Sequence, residues 1–256
     1  MLKGMVSLVT GGASGLGKAT VERLVANGGR VVILDVQGTR AHEVAKPFGA
    51  DVTVSAGSVT SEEDVKKALD VVKTKYGRLD TLVNCAGYNQ TYQIYNFNKD
   101  KACNLEGFAQ CIQVNTVGTF NTIRLAVGLM GKNKPTEDGQ RGVIVNTAGT
   151  MAYDGDIGQA AVAASNASII GMTLPIARDL AKQGIRVVTI APGTFDTPLL
   201  KYLPPKMIEF IKRMTPFPSR LGRPEEFAHL VTSVIENPML NGETIRLDGA
   251  QRWYPL

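Results

Sequence analysis

Seven short runs of the chain are rich in Val, Ile and Leu and apolar on both faces. They are MVSLVT (5–10), RVVILD (30–35), VTVSA (52–56), LDTLVNCAG (79–87), GVIVNTAG (142–149), IRVVTIAPG (185–193) and ETIRLDG (243–249). Strands without a polar face belong inside a parallel sheet covered on both sides. Helical spacing fills the intervals. KATVERLVANGG (18–29) ends on Gly28 and Gly29, while TSEEDVKKALDVVKTKYG (60–77) opens with Ser61 and a run of acids and stops at Gly77. These are the start and stop signals of amphipathic helices. The βαβα alternation predicts an α/β fold with a doubly wound parallel sheet, right-handed crossovers and one domain over 1–256. GKNKPTEDGQRG (131–142) reads as a polar surface loop, and no repeat or linker divides the chain.

Composition changes this picture little. The 256 residues are 44% hydrophobic and 20% charged, which fits a globular chain able to bury a core without cross-links. Cys85, Cys103 and Cys111 lack metal-ligand spacing, and His42 and His229 lie in unrelated segments. Reduced thiols in an intracellular compartment, no metal and no Cys–His catalytic pair are expected. No apolar run of membrane-spanning length and no targeting presequence is read, since the N-terminus enters a strand at once. The net charge of +5 modestly favours an anionic partner such as an acyl-CoA or RNA. The basic residues are scattered, so any nucleic-acid role is expected to be indirect.

The chemistry begins at LVTGGASGLGKAT (8–20), where Gly11, Gly15 and Gly17 follow the first strand and open the first helix. Small residues there let backbone N–H groups approach a pyrophosphate at the helix N-terminus. Asp35 ends the second strand, where an acid accepts from both ribose hydroxyls and repels a 2′-phosphate, so NAD(H) is expected over NADP(H). TGGASGLG, Asp35, NCAG (84–87), Asn115 and APGTFDTP (191–198), in this order, resemble the short-chain dehydrogenase/reductase family. Longer strings such as VNTVGTFNTIRL, GMTLPIARDLA and ENPMLNGETIRLDGA resemble its hydroxysteroid and 3-hydroxyacyl-CoA branch nearly end to end. The resemblance implies a Rossmann-type sheet in the order 3-2-1-4-5-6-7, a homotetramer and a mitochondrial location. It implies cofactor contacts at Gly11, Ser14, Gly15, Leu16, Gly17, Asp35, Ser58, Val59, Asn84, Ala86, Gly87, Pro192, Gly193 and Thr197. Asn84, Ala86 and Gly87 would also support the central strand, and Asn115 would kink its helix and order a relay water. Ser58 stands where the family usually has Asp. The segment 195–215 resembles a substrate lid, and QRWYPL (251–256) is expected over a cleft or interface.

The resemblance breaks where the family keeps its Ser, Tyr and Lys. Those positions hold Gly149, Val162 and Asn166. Neither Gly149 nor Val162 has a group that donates a proton, and Asn166 carries no charge to lower a phenol pKa. Loss of a general acid alone slows a reaction by about 10²–10⁴. Tyr95–Lys99 and Tyr202–Lys206 reproduce the Tyr-x-x-x-Lys spacing but sit in the wrong places, and two prolines interrupt the second. Nearer substitutes are Thr150, Tyr153, Asp156 and Gln159. An acid at Asp156 near an apolar cleft would have a raised pKa, or it would cap the helix beginning near 157. Three readings follow. The first is a pseudo-dehydrogenase that binds NAD(H) and a small apolar ligand, or runs an isomerase, cyclase or lyase step. The second is an NAD-dependent hydroxysteroid or 3-hydroxyacyl-CoA oxidoreductase with a relocated proton donor. The third is a non-catalytic scaffold, as in mitochondrial tRNA processing.

Overall fold

The computed structural model describes residues 2–200 and 203–253. The seven apolar runs form one parallel sheet. Its strands are β1 (Val6–Thr10), β2 (Arg30–Asp35), β3 (Val52–Ala56), β4 (Thr81–Asn84), β7 (Gly142–Thr147), β8 (Ile185–Pro192) and β9 (Thr244–Leu247), in the order 3-2-1-4-7-8-9. A two-residue hairpin, β5 (Tyr95–Asn96) and β6 (Lys101–Ala102), lies outside the sheet. With the hairpin set aside, this is the order expected from sequence.

Alternation along each strand divides the core in two. On one face Val9, Ile33, Val83, Val145 and Ile190 pack against α1 (Gly15–Ala26), α2 (Gly38–Ala45) and α9 (Pro224–Glu236). On the other, Leu8, Leu34, Leu82, Ile144 and Val187 meet α3 (Glu62–Tyr76), α5 (Gly118–Met130) and α7 (Ala160–Leu180). Burying each such side chain contributes about 1.5–3 kcal/mol. Because the strands are parallel, the loops after β1, β2, β4, β7 and β8 all emerge at one edge, where open α/β sheets build their sites.

Local chemistry explains the helix ends. Ser61 Oγ accepts from Asp64 N and caps α3, whose C-terminus closes on Gly77 at φ 71°. α7 runs through Pro175, which has no N–H for an intrahelical bond to residue 171. One expectation needs correction. Ala160–Gln183, α7 with its last turn, is by length and composition apolar enough to cross a membrane. Here it is a layer helix on β8, and its buried Thr173 bonds Thr189 (2.5 Å). Both Tyr-x-x-x-Lys strings are also placed. Tyr95 donates to Asp100 (2.6 Å) within the exposed hairpin. Lys206 falls in the first turn of α8 (Pro205–Met214), and Tyr202 lies outside the described residues, as do the last three residues of the tail.

Candidate functional site

The first βα turn is shaped by contacts that exclude side chains. Gly11 has φ 68°, and a Cβ there would come within 2.7 Å of Ala86 N. A Cβ on Gly17 would collide with the Gly11 carbonyl, and Gly15 (φ 51°) leaves 3.3 Å to Thr197. Thr10 Oγ1 accepts from Cys85 N (3.2 Å) and Ala86 N (3.1 Å), which fixes the end of β4 beside the turn. Leu16 packs down onto the core.

The α1 N-terminus differs from that of α3. Ser14 is extended, its hydroxyl makes no cap, and no acid occupies the first turn. The first N–H groups and the positive end of the helix dipole therefore face outward without a partner side chain. In α3 the same groups are served by Ser61 and three acids. Across the turn, Asp35 accepts from Ala13 N (2.9 Å) and Gln37 N (2.8 Å), so its carboxylate is held at the β2 tip. Ser58 N donates to Asp64 (3.0 Å), and the Ser58 hydroxyl pairs with Thr60 (2.8 Å). Val59 is buried, and its carbonyl takes Asn121 Nδ2. Pro192 ends β8, and a Cβ on Gly193 would stand 2.8 Å from Asp248 Cβ. This cradle fits a dinucleotide. Asn84 supports the central strand as expected: its side chain bonds Asn146 (2.9 Å) and Thr122 (2.7 Å), which bolts β4 to β7 and α5.

The opposite wall of the cleft is built by α4 (Leu105–Ile112), a π-helical turn over Gln113–Val117, α7 and the loop after β4. Asn115 lies in the π turn, so the expected distortion of the helix is present. Its side chain bonds within the protein. Nδ2 donates to Tyr88 O (2.9 Å), Ser165 Oγ (3.0 Å) and Cys111 Sγ (3.4 Å), and Oδ1 accepts from Tyr88 N (2.7 Å). These bonds clamp the loop after β4. Burial raises the pKa of the Cys111 thiol, with Ser165 opposing. Burial likewise pushes Cys85 up to about 11, against hydrogen bonds from Thr147 and Thr20. Neither thiol is poised as a nucleophile.

Gly149 and Asn166 are neighbours. A Cβ on Gly149 would lie 3.0 Å from Asn166 Nδ2, so the amide leans over the glycine. Val162 is one turn earlier on the same face of α7, buried with Cys111 and Ala161, and Tyr88, Tyr92, Phe108 and Met151 pack around this cluster.

The other proposed substitutes are dispersed. Thr150 is buried at the entry to a short helix, α6 (Met151–Asp154). Tyr153 stacks under Arg246, whose guanidinium is 5.0 Å from the ring centroid. The adjacent Asp154 pairs with Arg246 at 2.8 Å, chiefly through a hydrogen bond that lowers its pKa. Asp156 is exposed, and its carboxylate accepts from Ile157 N (2.7 Å). Gly155 (φ 63°) and Gly158 (φ 78°) bend the chain before α7, so Gln159, not Asp156, occupies the cap position. Asp156 is therefore neither a cap nor an acid in an apolar cleft.

Two residues of this wall, Tyr88 and Tyr92, were not singled out from sequence. The available signal was a pair of tyrosines within five residues of NCAG, on a loop at the carboxyl edge of the sheet. Tyr88 Oη donates to Gln90 (3.0 Å). Burial, then the Cys103 and Cys111 thiols, raise the Tyr92 pKa. Two cavities flank the cleft. One of about 320 Å³ is lined by Gln90, Tyr92, Lys99, Lys101 and Cys103. The other, about 370 Å³, lies under the lid segment between Thr197, Ile208, Lys212 and Arg220. No group of three or more His, Cys, Asp or Glu able to hold a metal occurs among the described residues.

A Rossmann-type sheet with this glycine turn, an acid at the β2 tip and a cleft against the π-turned helix defines a dinucleotide-fold oxidoreductase class. The chain belongs to the short chain dehydrogenase family, whose profile matches residues 5–207. It is 58% identical over 255 residues to the 3-hydroxyacyl-CoA dehydrogenase type-2 of Drosophila melanogaster, covering 100% of both chains. Its fold matches the crystal structure of 3-hydroxyacyl-CoA dehydrogenase type-2 from Mycobacterium avium with a TM-score of 0.94, at 38% identity over 99% of this chain and 98% of that one. It also matches a 3-ketoacyl-(acyl-carrier-protein) reductase from Brucella melitensis complexed with NADH, with a TM-score of 0.84 at 28% identity over 98% and 99%. The dehydrogenase names of these relatives favour the oxidoreductase reading over the pseudo-dehydrogenase reading.

Proposed function

We propose that this chain is an NAD(H)-dependent oxidoreductase of the 3-hydroxyacyl-CoA type that works slowly, because its proton does not come from position 162. The observation that carries the proposal is the uncapped α1 N-terminus with the Asp35 carboxylate held beside the same turn. One feature receives a pyrophosphate, and the other accepts from a ribose diol while repelling a 2′-phosphate. Gly11, Gly15, Gly17 and Gly193 would give the cofactor close backbone approach. The nicotinamide supplies or takes the hydride when bound. The residues of this chain hold the acyl arm along the Val162 wall and exclude water from it. Lys99 and Lys101 beside the hairpin cavity suit the anionic end of an acyl-CoA. Without a phenol at 162 or a charge at 166, the chemical step loses about 3–5 kcal/mol of stabilisation. Calorimetric titration with NADH and NADPH, followed by assay with acetoacetyl-CoA, tests this. Saturable binding that prefers NADH, with slow turnover, is the expected result; no NADH binding overturns it.

The Asn166 amide packed over Gly149 favours one second reading, an NAD(H)-bound protein that holds an apolar ligand or performs an isomerase, cyclase or lyase step. NADH binding with no hydride transfer to any 3-oxoacyl thioester would select it.

A homotetramer is part of the proposal. Only 33% of the apolar stretch of α7 is buried within this chain, and Leu174, Val117 and Phe120 are exposed on α7 and the neighbouring helix. A second copy would cover that face. Native mass spectrometry reads the assembly. Mitochondrial location is proposed on the family resemblance and is tested by fractionation.

A further inference from the structure

One guanidinium gathers segments that lead to both sides of the cleft. Arg246 lies on β9, and its side chain is 21% exposed. Its Nη1 and Nη2 fork onto Asp154 at 3.1 and 2.8 Å, and its Nε donates to Asp248 (2.7 Å). Nη2 also donates to the Gln251 carbonyl (3.0 Å). The Tyr153 ring covers one face of the group. The Asp154 and Asp248 side chains are only 10% and 7% exposed, so both carboxylates depend on these partners. Arg252 supplies a second cation, 3.0 Å from Asp248.

The two carboxylates serve different walls. Asp154 ends α6, which begins just after Gly149 and carries Met151 against the cluster around Val162. Asp248 backs the turn after β8. Gly193 N donates to Leu247 O (2.9 Å), and a Cβ on Gly193 would stand 3.1 Å from Gln251 Oε1 as well as close to Asp248. That Gln251 oxygen accepts from Thr194 N and Thr194 Oγ1 (3.4 Å each), just before the lid segment. Arg246 is therefore bonded on one side to the end of the ligand wall. On the other it is bonded to the residues behind Gly193 and Thr194. A planar fork spans these three partners at once, whereas an ammonium keeps the charge without the span.

We infer that Arg246 is a positioning residue: through Asp154 and Asp248 it sets α6 and the Gly193–Thr194 turn against each other, so that occupation of the cofactor side is felt at the ligand wall. The inference rests on the cofactor and acyl-ligand reading above for what occupies each side, and it adds the residue that joins them. Two ligands that both favour the braced arrangement tighten one another, and by the same factor.

The test uses a pair that cannot exchange a hydride, NAD+ with acetoacetyl-CoA, both in the oxidised form. Calorimetry on the purified full chain gives the affinity for acetoacetyl-CoA with and without saturating NAD+. In the parent chain NAD+ is expected to tighten acetoacetyl-CoA about fivefold or more. In Arg246→Lys and in Asp154→Asn that ratio is expected to fall below about twofold, while each ligand alone keeps its affinity within about threefold. A purely structural role would lower the melting temperature and leave the ratio intact. Two ligands that bind without tightening one another in the parent, or a ratio that survives both variants, would overturn the inference. Amide exchange on the unliganded chain gives a second readout. Asp154→Asn, a change on α6, is expected to speed exchange at Gly193 N about fivefold or more and to leave the β1 and β4 amides at the parent rate. Exchange at Gly193 that stays at the parent rate would overturn the inference as well. Failure of NAD+ to bind would overturn the oxidoreductase reading, and the exchange result would still decide whether Arg246 joins the two segments.

Discussion

The two sides of the cleft are built from different material. On the cofactor side the recognition elements are backbone: a bare helix N-terminus, glycines whose missing Cβ atoms permit close approach, and one acid anchored by two main-chain N–H groups. On the ligand side they are side chains, and there the residues depart from the family resemblance. Gly149, Val162 and Asn166 fill a wall closed by Tyr88 and Tyr92. A backbone site is held by the fold itself, since altering it breaks the β1–β4 contact at Gly11 and Ala86. A side-chain site can change without disturbing the sheet beneath it.

The largest effect expected from breaking this contrast is on the backbone side. Gly17→Val forces side-chain atoms into the Gly11 carbonyl, and overpacking of this kind costs at least about 1–3 kcal/mol. Loss of saturable NADH binding, with a lower melting temperature, is expected. Unchanged binding would show that the turn is not the cofactor site.

Restoring the other side is the next largest. The combined variant Gly149→Ser, Val162→Tyr and Asn166→Lys is expected to raise NADH-dependent acetoacetyl-CoA reduction by about 10²–10⁴. Val162→Tyr alone should recover little, because Asn166 supplies no charge beside the new phenol. Gly149→Ser alone should recover less, because its side chain meets the Asn166 amide. Equal rates for the single and triple variants would mean the three positions do not act together.

A smaller effect is expected at Asp35. Asp35→Asn removes a charge-assisted acceptor worth about 1.5–3 kcal/mol, so NADH affinity should fall about tenfold or more, and the preference over NADPH should narrow. Parallel titrations measure both.

The smallest concerns acid stability away from the cleft. Hydrogen bonding to Arg220 and to Arg223 N holds Glu226 at about 2, below its ordinary 4.5. Because the folded-state pKa is depressed, the interaction is fully present above about pH 4.5 and is lost as pH falls toward 2. The melting temperature of Glu226→Gln should lie below that of the parent near neutrality and converge with it at the acid end. A constant gap across that range would remove the Arg220 pair as the cause.

The sheet was legible because its central strands are buried on both faces and so read as short, largely apolar runs. The glycine turn was legible because its spacing encodes a contact made within one βα unit, Gly17 against the Gly11 carbonyl. The ligand wall was not. Thr91 meets Gln159 across 68 positions, and no local spacing encodes that contact. Asp156 was misread for a local reason: Gly155 and Gly158 delay the start of α7, so an acid placed like a cap lies in a solvent-exposed turn. The strand-support role expected of Asn84 is present, but its partners Asn146 and Thr122 lie 62 and 38 positions away, where only the fold brings them together. Asn115 was placed correctly in its distorted helix, but what its amide binds depends on Tyr88, Ser165 and Cys111, which only the fold brings together.

The most direct test of the central claim is a single-turnover measurement. The protein with bound NADH is mixed with acetoacetyl-CoA, and nicotinamide absorbance is followed beside the triple-restored variant. The account predicts that both bind NADH alike and that the parent oxidises it at a measurable rate about 10²–10⁴ below the variant. A parent rate equal to that of the variant, or a parent that takes up no NADH, would contradict it.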